Sequence, residues 1–202
     1  MALRQAIILI AFTLGVSFSY AATPKLLLDF QFNDGQGVTS ASSVASTVLT
    51  LGKGFDVSND PVGSTDSPSG MTGDLAGEFN GIGWCSGTFD GEPLDLTKPV
   101  TWEAWVNVDA ERVGDYEDYF RLANTFKIGA DTNHCFEVTL LGVEDIRSKV
   151  IQMTAGGGWT HVAAVWKPGV GVTFFQDGYE MDSVESTNLP KDYQSQSKVL
   201  TI

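Results

Sequence analysis

From residue 24 onward, apolar residues recur mainly at every second position, the period of a half-buried strand rather than of a helix. Over Lys25–Asn33, Leu28, Phe30 and Phe32 alternate with Asp29, Gln31 and Asn33, and Asp34-Gly35 then supplies turn chemistry. Val100–Val108 is the clearest stretch. Val100, Trp102, Ala104, Val106 and Val108 fall on one face, and Thr101, Glu103, Trp105 and Asn107 on the other. The same alternation predicts strands over Leu75–Phe79, Tyr119–Ile128, Cys135–Leu141 and Lys149–Met153. It also predicts a pair, Trp159–Lys167 and Val170–Gln176, around Pro168-Gly169. Asn80-Gly81, Asp90-Gly91 and above all Asp177-Gly178 are turn signals. Residues 38–74, rich in Ser, Thr, Gly and Asp, read as weak strands in long loops, and 109–118 as a loop or one helical turn. About ten short strands with turns between them specify an all-β, antiparallel, two-sheet sandwich or jelly roll.

Residues 1–21 depart from that pattern. Arg4 gives a positive start, Ala6–Val16 is an apolar run interrupted only by Thr13 and Gly15, and Ser19 and Ala21 place small residues at −3 and −1. This is the pattern of an export signal cut after Ala21, leaving residues 22–202 as the domain. The competing reading, a membrane anchor, needs ~20 apolar residues, and this run is shorter. The processed chain is therefore expected in the secreted or cell-surface space and out of the membrane.

Charge narrows the partners. The 202 residues carry 12 Lys+Arg against 25 Asp+Glu, a net −13. That balance opposes nucleic-acid binding, which draws its affinity from Lys and Arg displacing counterions. Export makes a Cys85–Cys135 disulfide one alternative and two thiols the other. The bond needs Cα atoms within ~7 Å. No C-x-x-C or Cys/His zinc spacing occurs. Among the five tryptophans, Trp102, Trp105, Trp159 and Trp166 lie on strands and are assigned to packing. Trp84 sits beside Gly81, Gly83 and Gly87 and is the candidate ligand-contacting aromatic.

Five segments in order carry a family resemblance: D-F-Q-F-N-D-G (29–35), L-A-G-E-F-N-G (75–81), T-W-E-A-W-V (101–106), G-W-T-H-V-A-A-V-W (158–166) and F-F-Q-D-G (174–178). Together they resemble the concanavalin A-like lectin/glucanase superfamily, most closely its laminin-G-like and pentraxin-like branch, over roughly residues 26–183. The resemblance implies a jelly roll that binds carbohydrate or extracellular protein. It aligns Glu103 and Ala163 with the half-cystines that join two strands in pentraxins. Those strands are then neighbours, and Glu103 and His161 are expected to pair. The resemblance also places a calcium cluster at Gly129–Asn133, with Asp131 and Asn133 as candidate ligands. The bland reading of those two residues is an Asx turn. In this branch a further strand closes the sandwich after the one resembled by Lys198–Ile202. The domain is accordingly expected to lack its last strand, with further domains beyond residue 202.

Catalytic patterns are not found. Laminarinase-like members carry E-x-D-x-E or E-x-D-x-x-E, which alternation puts on one face of a cleft as nucleophile and acid/base. Here Glu144-Asp145 has no second Glu in register. No G-x-S-x-G is present either, and Gly156-Gly157-Gly158 lacks the Lys and helix of a phosphate loop. The expected role is a secreted non-catalytic recognition module. The alternatives are a fragment of a glycoside hydrolase with catalysis elsewhere, and a structural domain of a large surface protein.

Overall fold

A computed structural model describes residues 3–12, 25–33, 39–44, 46–51, 62–79, 81, 83–88, 95–108, 116–190 and 199–202, without the side chains of 3–12 and 62. The cleavage position after Ala21, the turns at Asp34-Gly35 and Asp90-Gly91, and residues 109–115 of the loop expected over 109–118 lie outside the described residues, while Glu117 and Asp118 of that loop are instead strand. Sixteen strands and no helix are described, in chain order β1 (Leu3–Phe12), β2 (Lys25–Phe30), β3 (Thr39–Ala41), β4 (Val48–Thr50), β5 (Val62–Ser64), β6 (Ala76–Phe79), β7 (Ser86–Thr88), β8 (Val100–Asn107), β9 (Glu117–Leu122), β10 (Phe126–Ala130), β11 (Cys135–Leu140), β12 (Glu144–Gln152), β13 (Thr160–Lys167), β14 (Gly171–Gln176), β15 (Tyr179–Glu185) and β16 (Val199–Thr201). Accordingly, no helix among the described residues is long and apolar enough to cross a membrane.

The strands form two eight-stranded antiparallel sheets. One runs β15-β14-β13-β8-β1-β6-β5 with β2 also on β1, and the other β12-β11-β10-β9-β16-β7-β4-β3. The alternation of β8 is fulfilled: Val100, Trp102, Ala104, Val106 and Val108 are all buried, while Thr101, Glu103, Trp105 and Asn107 are half-buried on the opposite face. Facing rows from the second sheet include Phe120, Leu122, Phe126, Ile128, Phe136, Val138 and Leu140. Phe136 joins the sheets. Its ring lies 5.8 Å from Trp102 and 5.5 Å from Phe174, both on strands of the first sheet. Tilted and edge-on aromatic contacts of this kind add to simple area burial.

Several boundaries differ from the sequence reading, each for a local reason. Tyr119–Ile128 is a hairpin, β9 and β10, because Ala123 adopts a left-handed φ of 41° and the Thr125 amide donates to the Leu122 carbonyl. Apolar residues on both sides of so short a turn read as one run. After Asp177 (φ 49°) and Gly178 (φ 83°) the chain returns as β15, whose residues are largely exposed and give no apolar period. This is the two-residue turn with both central φ positive that the Asp-Gly pair favours.

Leu3–Phe12, expected outside the fold, is instead a strand within the first sheet. It pairs β8 over Arg4–Leu9, β6 over Leu3–Gln5 and β2 over Ile8–Phe12. The composition of an apolar leader run, rich in Ile and Leu, is equally that of a buried strand.

The disulfide alternative is corrected: Cys85 and Cys135 are both free thiols. Cys85 exchanges backbone bonds with Ile202, in line with β7 and β16. Cys135 begins β11, four strand positions away across β16, β9 and β10. At ~4.8 Å per strand that is ~19 Å, far beyond disulfide reach. Burial pushes the Cys85 thiol up to about 12. We therefore expect Cys85 to resist a thiol reagent at pH 8 until the chain unfolds, while half-buried Cys135 reacts first. Thiol counting with and without denaturant checks this, and equal native reactivity of both would contradict the burial.

Candidate functional site

On the outer face of the first sheet, β2 and β8 flank a cavity of about 250 Å³ lined by Asp29, Gln31, Asn33, Asp74, Glu103, Ala104, Trp105 and His161. Alternation produces it. The β8 residues that point away from the core, Glu103 and Trp105, come up beside the outward Asp29 of β2 and Gln31 just beyond it. β13 brings His161 directly opposite Trp105 and Ala163 directly opposite Glu103. The neighbouring of these strands is thus as the resemblance implied.

Within the cavity, His161 Nε2 lies 3.6 Å from Glu103 Oε2, both side chains roughly one-fifth exposed. The His161 ring is 5.2 Å from the Trp105 ring at 59°. A diagonal cross-strand neighbour and a direct one thereby hold the imidazole from two sides. Its backbone is braced too. The His161 amide donates to Asp177 Oδ1 at 3.0 Å, and the Asp177 amide donates to the His161 carbonyl at 2.8 Å. Asp29 is buried and accepts hydrogen bonds from Gln31 Nε2 at 3.0 Å and from the Ser43 hydroxyl. Asn33 Oδ1 accepts the Leu75 amide at 2.7 Å, tying the loop of Asp74 to the end of β2. The hydrogen bond from Ser69 holds the Asp74 carboxyl below its ordinary value.

Sequence reasoning brought Glu103 and His161 to this site and missed Trp105, which it assigned to packing. The signal that finds Trp105 is the alternation itself, since Trp105 shares a face with Glu103 and Asn107, opposite the buried Trp102. Trp84 lies elsewhere, half-buried ahead of β7 in the other sheet. The cavity sits on a sheet face.

Asp131 is buried and Asn133 exposed, and together they form an Asx turn. Asp131 Oδ1 accepts the amides of Asn133 at 2.8 Å and Cys135 at 2.9 Å, while Oδ2 lies 3.2 Å from Arg147 Nε. Burial raises the Asp131 carboxyl. The two backbone bonds and Arg147 outweigh it and leave the group below its ordinary value. A calcium ion would have to displace Arg147 and two amide donors, so these residues do not fit that cation. Among the described residues, no group of three or more His, Cys, Asp or Glu could hold a metal ion.

A second polar cluster lies on the outer face of β10–β12. Buried Glu137 receives Arg147 Nε at 2.9 Å and has Lys127 Nζ at 3.7 Å. Lys127 also reaches Asp118 at 2.9 Å, and Arg147 reaches Asp145 at 3.0 Å. Desolvation raises the Glu137 carboxyl, and the Arg147 hydrogen bond works against the rise. Each carboxylate of this network meets a cation, so it reads as a satisfied cross-strand network.

With fold and cavity in place, comparison with known proteins identifies the group. The family described as the concanavalin A-like lectin/glucanases superfamily, in its Laminin_G_3 form, matches residues 86–202, more than half of the chain. The chain belongs to the concanavalin A-like superfamily. Among solved structures, one described as "Crystal structure of the receptor binding domain" is similar at TM-score 0.50 and 12% identity. The similarity covers 85% of this chain and 43% of that one, so this chain spans less than half of its length. At that identity the likeness concerns the fold alone. No curated protein matches the chain. The matched part of this concanavalin A-like domain contains β8, β13 and hence Glu103, Trp105 and His161. Asp29, Gln31 and Asn33 lie before it.

Proposed function

We propose that this concanavalin A-like domain is a carbohydrate-binding module that seats one sugar residue in the cavity flanked by β2 and β8, with β1 between them. The observation that carries this reading is the lining itself. An aromatic ring, Trp105, stands beside carboxylate and amide groups from Asp29, Gln31, Asn33, Asp74 and Glu103. A sugar ring offers an apolar face to an aromatic plane and a rim of hydroxyls to such donors and acceptors. The volume is slightly below the roughly 300–1,000 Å³ of drug-sized sites, which suits a terminal sugar rather than a long chain. Glu103 and His161 orient the site in this reading and carry no catalytic step.

A glycan-array screen of the full chain tests it, followed by titration of the best ligand against Trp105→Ala and Glu103→Gln. Trp105 is only half-buried, so the alanine variant should keep the fold while losing binding by roughly tenfold to a hundredfold, the range of an aromatic anchor. Added calcium should leave the affinity unchanged. Unaltered binding in both variants, or no glycan bound at all, would refute the assignment.

A further inference from the structure

The two outer faces of the sandwich treat their carboxylates differently. On β9–β12, Asp118 meets Lys127 at 2.9 Å, and Glu137 and Asp145 meet Arg147 at 2.9 and 3.0 Å. The cavity of the first sheet has no such compensation. Three of its eight lining residues, Asp29, Asp74 and Glu103, are carboxylates, and none is Lys or Arg. The side-chain bonds described for Asp29 come from neutral Gln31 and Ser43, and the one for Asp74 from the Ser69 hydroxyl. That bond holds the Asp74 carboxyl below its ordinary value, so Asp74 is charged at neutral pH. Among the lining groups, only the His161 imidazole, 3.6 Å from Glu103, can carry positive charge.

The register spreads this charge around the cavity. Asp29 and Glu103 share one row of the sheet, since both pair with Leu9 of β1, from its two sides. Two strand spacings put their Cα atoms about 10 Å apart. Carboxylates therefore stand on both flanks of a cavity with room for one sugar ring. A concave site lined by one sign of charge focuses its field on whatever enters. Trp105 adds to this, because the face of an indole attracts an ammonium group as well as the apolar face of a sugar. An ammonium donor brings its own charge to a hydrogen bond that a hydroxyl makes as a neutral group. A ligand carboxylate would meet like charge on both flanks, which suppresses binding.

We propose that the cavity selects a sugar bearing a free, protonated amine, recognised by Glu103, Asp29 and Asp74, and rejects acidic sugars. The inference rests on the sugar reading for the ring and on the uncompensated carboxylates for the amine.

The test titrates the full chain at pH 7 with methyl glycosides of glucose, galactose and mannose. Each carries a hydroxyl or an amine at C2 or C6, or a carboxylate at C6. Cyclohexylammonium, a ring with the charge and no hydroxyls, is titrated beside them. For at least one parent sugar, the amine should bind roughly tenfold more tightly than the hydroxyl form at low salt. That advantage should shrink as salt screens the site, and the carboxylate form should bind more weakly than either. Glu103→Gln and Asp74→Asn, which preserve side-chain shape, should each reduce the amine's advantage more than they reduce binding of the neutral sugar. Hydroxyl and amine forms bound equally, a carboxylate form bound best, or an amine advantage unchanged in both variants would overturn the selectivity and leave the sugar reading standing. Cyclohexylammonium bound without any sugar would support the ammonium site and overturn the sugar reading. No binding of any of these probes would overturn both.

Discussion

Gly129→Val is expected to destabilise the domain by about 3–5 kcal/mol, a large fraction of the ~5–15 kcal/mol that holds a typical domain together. The reason is a close approach of backbones. A Cβ added at Gly129 would stand 1.7 Å from the Glu117 carbonyl oxygen and 2.8 Å from its carbon. Neither atom can rotate away, because both belong to the neighbouring strand β9. The contact arises where the β9–β10 register shifts between Ile128 and Gly129, beside the Gly129–Asp118 pair. Relief requires β9 and β10 to separate, exposing Phe120, Ile128 and the row behind them. Urea unfolding monitored by tryptophan fluorescence measures the cost. Gly157→Val supplies the comparison, since an added Cβ there has only the Thr154 carbonyl oxygen at 3.9 Å. A Gly129→Val midpoint equal to that of Gly157→Val would contradict the approach of the two strands.

Trp166→Ala should cost about 3–5 kcal/mol, the range for emptying a large aromatic from a packed core. Trp166 is 1% exposed near the end of β13, and its indole Nε1 donates to the Leu96 carbonyl at 3.0 Å. The bond fastens the segment before β8 to the sheet. Two parts of the loss can be separated. Trp166→Phe keeps most of the apolar volume and strands the Leu96 carbonyl, for about 1–3 kcal/mol. Trp105→Ala, on the outer face, should lose far less stability while weakening ligand binding. Denaturant midpoints of the three variants give the ranking. A Trp166→Ala chain as stable as Trp105→Ala would place Trp166 outside the core.

Trp102 and Trp105 of β8 show how far the sequence is legible. Each sits in an alternating strand, and alternation separates Trp102 from Trp105 without a structure, because they differ by an odd number of positions. The sequence assigned both to packing because residue type was weighed above parity. Glu103 and His161 were brought together from an ordered set of motifs that fixed which strands are neighbours. The third side of the cavity was not legible in this way. Asp29 and Asn33 stand some seventy residues earlier in the chain, and nothing in their local pattern says that β2 comes to lie beyond β8. The Asp131–Asn133 turn was legible as local chemistry, since an Asx turn depends on adjacent residues. Arg147, which occupies its outer oxygen, arrives from β12 and carries no local signal.

The sequence by itself determined the all-β class, the faces of β8, the Asp177-Gly178 turn and the Glu103–His161 neighbourhood. These depend on side-chain period, on turn residues with positive φ and on motif order, all of which are written locally. The tertiary structure decided three other matters: that Cys85 and Cys135 lie four strands apart, that Trp105 joins Asp29 around one cavity, and that Leu3–Phe12 lies between β8 and β2. The common reason is strand order. An apolar stretch is compatible with a leader and with a strand alike, and nothing local in it says which strands it would pair.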